Sequence, residues 1–323
     1  MINYPIKFDP ILKERIWGGE KLVTTFKKES NKRNIGESWE ISDVEGDVSI
    51  VSKGYLKGKT LKELIETYKG ELVGQKVYKQ FGDNFPILIK FIDAKTPLSI
   101  QVHPNNELAK ERHNSFGKNE MWYVMQAEED AELIVGFNQK VAKETYMHHL
   151  NNSTLTEILN VEKVKKGDTF YIFTGRVHAI GAGVLLAEIQ QTSDITYRIY
   201  DYDRVDKKTD KKRELHTDLA LDAIDFKFYN NYKTTYNYNV NSSNELVHSS
   251  YFKTNIISVK GELENDYTNL DSFVIYMCVD GYLEIEYKNK IFTLNKGETI
   301  LLPAAINQLK LKSSNATILE VFL

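Results

Sequence analysis

The distribution of apolar and polar residues along the chain changes period several times. Between residues 60 and 80, Leu61, Leu64, Ile65, Tyr68 and Leu72 recur at helical spacing with Lys and Glu between them, which places the apolar side chains on one face of a helix. Residues 85–94, FPILIKFIDA, then form a near-continuous apolar run, and this predicts a strand buried on both faces. Lys90 interrupts it, either as a lysine snorkelling to the strand edge or as a charge retained for function. The stretch MWYVMQAEEDAELIVGF predicts two strands around an acidic turn at 128–130. Helical spacing returns at 139–159 and at 214–226, with Leu215, Leu219 and Ile224 inward in the latter. The first 56 residues read as short strands and turns. Residues 164–204 do so as well, with Gly167, Gly175, Gly181 and Gly183 where a β-sandwich or barrel turns its corners. A polar, Asn- and Tyr-rich passage at 229–245 is a connector, and strands then continue to Leu323.

An internal repeat divides this pattern. Lys166-Gly167-Asp168-Thr169, an apolar strand, Gly175 and His178 have counterparts in Lys296-Gly297-Glu298-Thr299, another apolar strand, Ala305 and Gln308. In that register Gln308 stands for His178, Phe273 for Glu120 and Tyr276 for Tyr123. We therefore expect a mainly β fold in two domains, 1–235 and 236–323. The first carries helical segments at about 60–80, 139–159 and 214–226, and the second repeats the strand pattern without the candidate ligands described below.

Composition narrows the function. Tyr (19) and Phe (15) far outnumber Trp (3), which suits strands. Lys and Arg total 42 against 45 Asp and Glu, and the net charge of -3 provides no basic field for nucleic acid. Trp17 and Trp39, in the first part of the chain, read most simply as core. Cys278 is the only cysteine, so an intrachain disulfide and a thiolate metal cluster are both excluded. The N-terminus lacks the apolar core of a signal peptide and no run approaches the ~18 apolar residues of a membrane span, so a cytoplasmic protein without a membrane partner is expected.

Candidate chemistry concentrates in residues 99–120, SIQVHPNNELAKERHNSFGKNE. If 99–103 is extended, Ser99, Gln101 and His103 project to one side, and Lys118 and Glu120 repeat the spacing. A neutral imidazole, an amide oxygen and a carboxylate can hold a divalent metal, with His178 as the candidate for the missing ligand. Two histidines and a carboxylate would also suit an iron-dependent oxygenase. His148 and His149, adjacent on a predicted helix, diverge and read as surface residues.

The motifs PLSIQVHP, GKNEMWYV, GDTFYIFTGRVHAIGAG and EIQQTSDITYRIYDYDR, in that order, resemble the zinc-dependent type I phosphomannose isomerases of the cupin superfamily, in the short bacterial form. The similarity begins at ERIWGG and GESWEIS, includes RELHTDLALDAI, and weakens after about Tyr229, where only a cupin-like strand pattern remains. The resemblance implies two cupin-type β-sandwich or jelly-roll domains and one Zn2+ per chain held by Gln101, His103, Glu120 and His178. It implies a sugar-phosphate partner, mannose 6-phosphate being interconverted with fructose 6-phosphate through an enediolate. It also implies active-site roles for Lys118, Glu188 and Arg198, and places Lys90 and Ser99 near the substrate phosphate. Arg198 suits stabilisation of developing charge because it stays protonated. Lys118 is a candidate for phosphate binding or proton transfer and Glu188 for the base; the residues alone leave these roles open. The alternative for Arg198 is an ion pair with Asp194 or Asp201. Phe173 replaces the Pro of the family's PxGxxH turn, and Asn106 replaces an acidic residue after the His-Pro pair. A non-catalytic sugar-phosphate-binding bicupin is the main alternative, opposed by the joint presence of Lys118, Glu188 and Arg198. Gln101 and the lack of a His-x-Asp pair oppose the oxygenase.

Overall fold

The computed structural model describes residues 2–206 and 209–323. Three antiparallel sheets dominate it. The first has the strand order Ile11–Gly19, Ile35–Ile41, Ile87–Ala94, Val184–Gln191, Glu120–Ala127, Thr169–Ile172. The second runs Tyr197–Tyr200, Ile100–Val102, His178–Ile180, Glu132–Phe137, Leu159–Lys163. The third runs Ser243–His248, Lys253–Asp266, Gln308–Phe322, Val274–Tyr287, Lys290–Asn295, with Thr299–Leu302 also paired to Val274–Tyr287.

Strand alternation in the first sheet separates two cores. Ile87, Ile89, Phe91, Met121, Tyr123, Leu185, Ala187 and Ile189 face the third sheet and pack with Ile275, Met277, Leu319 and Val321. Their neighbours Ile92, Ala94, Trp122, Val124, Val184 and Leu186 pack against Leu133, Val135 and Ile180 of the second sheet. Every residue of Ile87–Ala94 is buried, which is why this strand reads as an unbroken apolar run. A one-residue slip would exchange the two faces, and each large apolar side chain is worth roughly 1.5–3 kcal/mol when buried, so the register is fixed. The same alternation turns Glu120, Lys90 and Glu188 toward the second sheet. Lys90 is only 4% exposed in the middle of the sheet, so it does not snorkel to an edge.

The stretch 60–80 is broken into Leu61–Tyr68, Gly70–Val73 and Gln75–Phe81. It starts on a capping box in which Glu63 N–H donates to Thr60 Oγ1 at 3.1 Å and Thr60 N–H to Glu63 Oε2 at 2.8 Å. It breaks at Lys69 (φ 47°) and Gly74 (φ 94°). A Cβ on Gly74 would lie 2.5 Å from the Asp271 carbonyl oxygen, so the third sheet's connection requires glycine there. The segment 139–159 comprises the helix Lys143–Asn151 and the 3-10 turn Leu155–Ile158, and the segment 214–226 contains the helix Thr217–Ala223. Leu215 precedes that helix and is 45% exposed rather than inward; Ala220 takes the buried position. Asn106–His113 is a helix that periodicity did not predict. Only Ala109 of it is buried, and Asn105 caps it by accepting the Leu108 N–H at 2.9 Å.

The repeat's two glycine turns are alike, with Gly167 at φ 94° and Gly297 at φ 83°. The strands that pair with them correct the predicted register. Thr169 pairs with Tyr123 and Ile172 with Glu120, whereas Thr299 pairs with Met277 and Leu302 with Val274. Met277 therefore stands for Tyr123, and Val274, not Phe273, stands for Glu120. The shift by one matters because it changes faces: Tyr123 and Met277 share the core between the first and third sheets, while Val274 faces the third sheet's own interior.

Candidate metal centre and active site

A cavity of about 470 Å³ opens between the first and second sheets. The first sheet contributes a row across its ladders, Trp39 beside Lys90, Lys90 beside Glu188, and Glu188 beside Trp122. Gln190 beside Glu120 continues that face two residues along. The second sheet contributes the row Arg198, Gln101 and His178. Lys90, Ser99, Gln101, Lys118, Glu188 and Arg198 line the cavity, and Gln101 Nε2 lies 3.2 Å from His178 Nε2. Residues scattered over 109 positions of sequence are thus brought together by strand pairing rather than by local geometry.

His103, Glu120 and His178 form a buried group whose ligand atoms all lie within 4.8 Å of one another. His103 Nδ1 faces the Ile195 carbonyl at 2.9 Å and His178 Nδ1 faces the Arg176 carbonyl at 2.8 Å. A carbonyl oxygen only accepts, so each Nδ1 carries a proton, and in a neutral ring the Nε2 then presents a lone pair. Burial, and then the Lys118 charge, push His103 down to about 3, so its imidazole is neutral. Its Nε2 nevertheless lies 2.8 Å from Glu120 Oε1, with His178 Nε2 3.4 Å from the same oxygen. Neither Glu120 oxygen nor His103 Nε2 has a hydrogen-bond partner among the described residues. Burial by itself would raise the Glu120 carboxyl; the charge of Lys118 is the foremost influence that opposes it, and the group is held well below its ordinary range. A carboxylate and two imidazole lone pairs converging without a donor between them fit a divalent cation. The Gln101 amide lies within reach to add its oxygen, since rotation about its last bond exchanges oxygen and nitrogen.

Beside this group, Lys90 Nζ lies 3.2 Å from Glu188 Oε1 and 5.1 Å from the centre of the Trp39 ring. Burial opposes the Lys90 charge, but Glu188, Glu37 and Glu120 outweigh it and raise the group above its ordinary value. Glu188 is pushed up to about 7, first by burial and then by the Glu120 charge, against the pull of Lys90 and Lys118. Trp122 Nε1 donates to Glu188 Oε2 at 2.9 Å and fixes its plane. Asn119, between Lys118 and Glu120, donates to Gln191 Oε1 at 2.7 Å and so ties that strand entrance to the next strand.

Over 315 residues, 97% of either chain, the sequence is 35% identical to mannose-6-phosphate isomerase ManA of Bacillus subtilis (strain 168). The chain belongs to the type I phosphomannose isomerase family. The family's catalytic-domain model matches residues 6–163, and a mannose-6-phosphate isomerase cupin-domain model matches residues 242–322. Mannose-6-phosphate isomerase of Streptococcus mutans is 33% identical over 303 residues, covering 94% of this chain and 93% of that one. The crystal structure of the mannose 6-phosphate isomerase from Bacillus subtilis superposes with a TM-score of 0.89 at 33% identity, covering 99% of each chain. The fold is accordingly mainly β and of the cupin type.

Arg15, Glu37, Trp39 and Arg213 also line the cavity. Glu37 accepts from Arg15 Nη2 at 3.0 Å and from Trp39 Nε1 at 2.7 Å. Its carboxyl, raised by burial, is brought down to about 2 by Lys90 and Arg15. The period-two pair Glu37 and Trp39 within GESWEIS was the available signal, and both tryptophans expected to fill core also wall the cavity. Asp201 accepts from both Arg204 and Arg213, while Arg198 Nη1 donates to the Glu214 carbonyl at 2.7 Å. The Arg198 Nε is buried without a partner among the described residues. No helix among the described residues is long and apolar enough to cross a membrane.

Proposed function

We propose that the protein is a zinc-dependent, cytoplasmic aldose-ketose isomerase that interconverts mannose 6-phosphate and fructose 6-phosphate. The observation that carries this reading is the donor-starved convergence of His103, Glu120 and His178, in a chain similar to mannose-6-phosphate isomerases over nearly its whole length. Gln101, His103, Glu120 and His178 would hold one Zn2+ per chain. Bound there, zinc supplies a Lewis acid for the sugar oxygens.

The chain's own residues account for the remainder. Moving a proton between C2 and C1 through an enediolate needs a base beside carbon and a fixed positive charge beside oxygen. Arg198, clamped by its backbone and with an unpartnered Nε, provides the fixed charge. Glu188 is the candidate base, held in plane by Trp122. Lys118, at the entrance of the Glu120 strand, transfers a proton or binds phosphate. Ser99 and Lys90 contact the substrate, Lys90 with its charge already shared with Glu188. Burial in the cavity strengthens each of these interactions by excluding water.

We assign catalysis to residues 1–235 and regard residues 236–323 as a second cupin-type domain without metal ligands. In it Val274 stands for Glu120, and Gln308 is exposed and donates to Asp266 Oδ2 at 3.0 Å. The deciding experiment is a coupled isomerase assay with mannose 6-phosphate before chelation, after chelation and after zinc return. Activity lost with chelation and restored by zinc is expected; full turnover in metal-free protein would overturn the zinc assignment, and no turnover in zinc-loaded protein would overturn the isomerase assignment.

A further inference from the structure

Arg198 lies on Tyr197–Tyr200, the edge strand of the second sheet. Its inner side pairs with Gln101, which leaves its peptide groups to be satisfied from outside the sheet. A single residue does this. Arg198 N–H donates to His216 Nδ1 at 3.1 Å, and His216 N–H donates to the Arg198 carbonyl at 2.7 Å. Two residues earlier, the Glu214 carbonyl accepts from the guanidinium at 2.7 Å. The segment before the helix Thr217–Ala223 thus grips Arg198 at three points, and one grip depends on an imidazole lone pair. Protonated imidazole has only donors, so a charged His216 would turn an N–H toward the Arg198 N–H and break that grip.

We propose that His216 is a positioning residue for Arg198: its neutral imidazole holds the Arg198 backbone in register, and protonation releases the arginine and lowers turnover on the acid side. The proposal rests on Arg198 serving as the fixed charge in the isomerase reaction. The surroundings of His216 oppose its charging. Burial is the largest influence, the Arg198 charge follows, and His113 on the helix Asn106–His113 adds to them; only Glu214 favours the charged form, so the pKa is lowered. Tyr197, whose ring centre is 6.5 Å away, is tied through its hydroxyl to His113 Nε2 at 2.8 Å. The Arg112–Asp222 pair spans the two neighbouring helices and balances its own charge.

The test compares wild type, His216→Leu and His216→Asn, with Arg198→Ala alongside, by kcat and KM for mannose 6-phosphate across pH at matched zinc content. Leu removes the acceptor and should lower kcat roughly 10- to 100-fold with little change in KM, the scale of a misplaced reacting group. Asn offers a non-titrating oxygen in place of Nδ1 and should restore most of that loss while making the acid limb of kcat one proton less steep. Wild-type kcat and an acid limb as steep as wild type in both variants overturn the proposal. If Leu does not fold, an acid limb in Asn identical to wild type overturns it alone. Arg198→Ala separates the two failures: normal turnover there removes the role of Arg198 itself, whereas an inactive Arg198→Ala with a wild-type His216→Leu removes only the positioning role.

Discussion

Glu120 and Glu320 are both buried glutamates on strands of adjoining sheets, at 1% and 3% exposure, and their surroundings are opposite. Glu320 is saturated with donors: Oε2 accepts from Ser243 Oγ at 2.6 Å and Asn255 Nδ2 at 3.0 Å, and Oε1 accepts from the Tyr267 hydroxyl. Tyr276, on the neighbouring strand, closes the cluster through Tyr267 and Asn265. Glu120 instead faces the Nε2 atoms of two imidazoles, and neither of its oxygens has a hydrogen-bond partner among the described residues. Burial of a carboxylate therefore does not mark a functional site; shortage of donors does, because a buried polar group kept without partners costs free energy that a fold would otherwise remove.

The contrast breaks first at its metal side. His178→Ala should abolish both zinc binding, read by metal analysis after dialysis, and isomerase activity; a variant retaining bound zinc and turnover would put Glu120 in the same class as Glu320. Arg198→Ala should keep the metal and lower turnover by roughly 100-fold or more, as expected for loss of a fixed charge at a developing oxyanion. At the other carboxylate, Glu320→Leu should leave zinc content unchanged and reduce stability by about 2–4 kcal/mol in urea denaturation, through orphaned hydroxyl and amide donors. Metal loss in that variant would mean that the two sites are coupled.

The smallest effect concerns Cys278, in the third sheet's interior. Burial pushes its thiol up to about 12. An unfolded thiol titrates near about 8.5, so the unfolded chain loses its proton first and the stability contribution falls as pH rises above that value. In the native state a thiol reagent at pH 8 should react no faster than the chain unfolds; a rapid stoichiometric reaction would show that the interior opens.

Much of the site was legible because strand alternation is a strict rule. The spacing of Ser99, Gln101 and His103, repeated at Lys118 and Glu120, placed five side chains near one cavity with His178 as the candidate for the missing ligand, and the motif order supplied Glu188 and Arg198. The repeat's register was misread because the KGDT and KGET turns fix only one strand of each pair. The partner strand's offset depends on the intervening turns, with ladder irregularities such as that between Cys278 and Asp280. The helix Asn106–His113 escaped notice because a helix with one buried residue carries almost no periodic signal. His216 was invisible for another reason: its importance lies in which peptide group its ring accepts, and no spacing in RELHTDLALDAI encodes that.

The first sheet's apolar rear face has a consequence for how the enzyme comes into being. Ile87, Phe91, Met121, Ala187 and Ile189 have their cover in Ile275, Met277, Leu319 and Val321, which follow every proposed ligand in the chain. Before residues 274–322 emerge from the ribosome, every proposed ligand has been synthesised but the wall that carries Glu120 is bare on its far side. The candidate metal centre should therefore become rigid only when Gln308–Phe322 docks, and variants that lack that strand should be found as aggregated, metal-poor protein rather than as a smaller active enzyme.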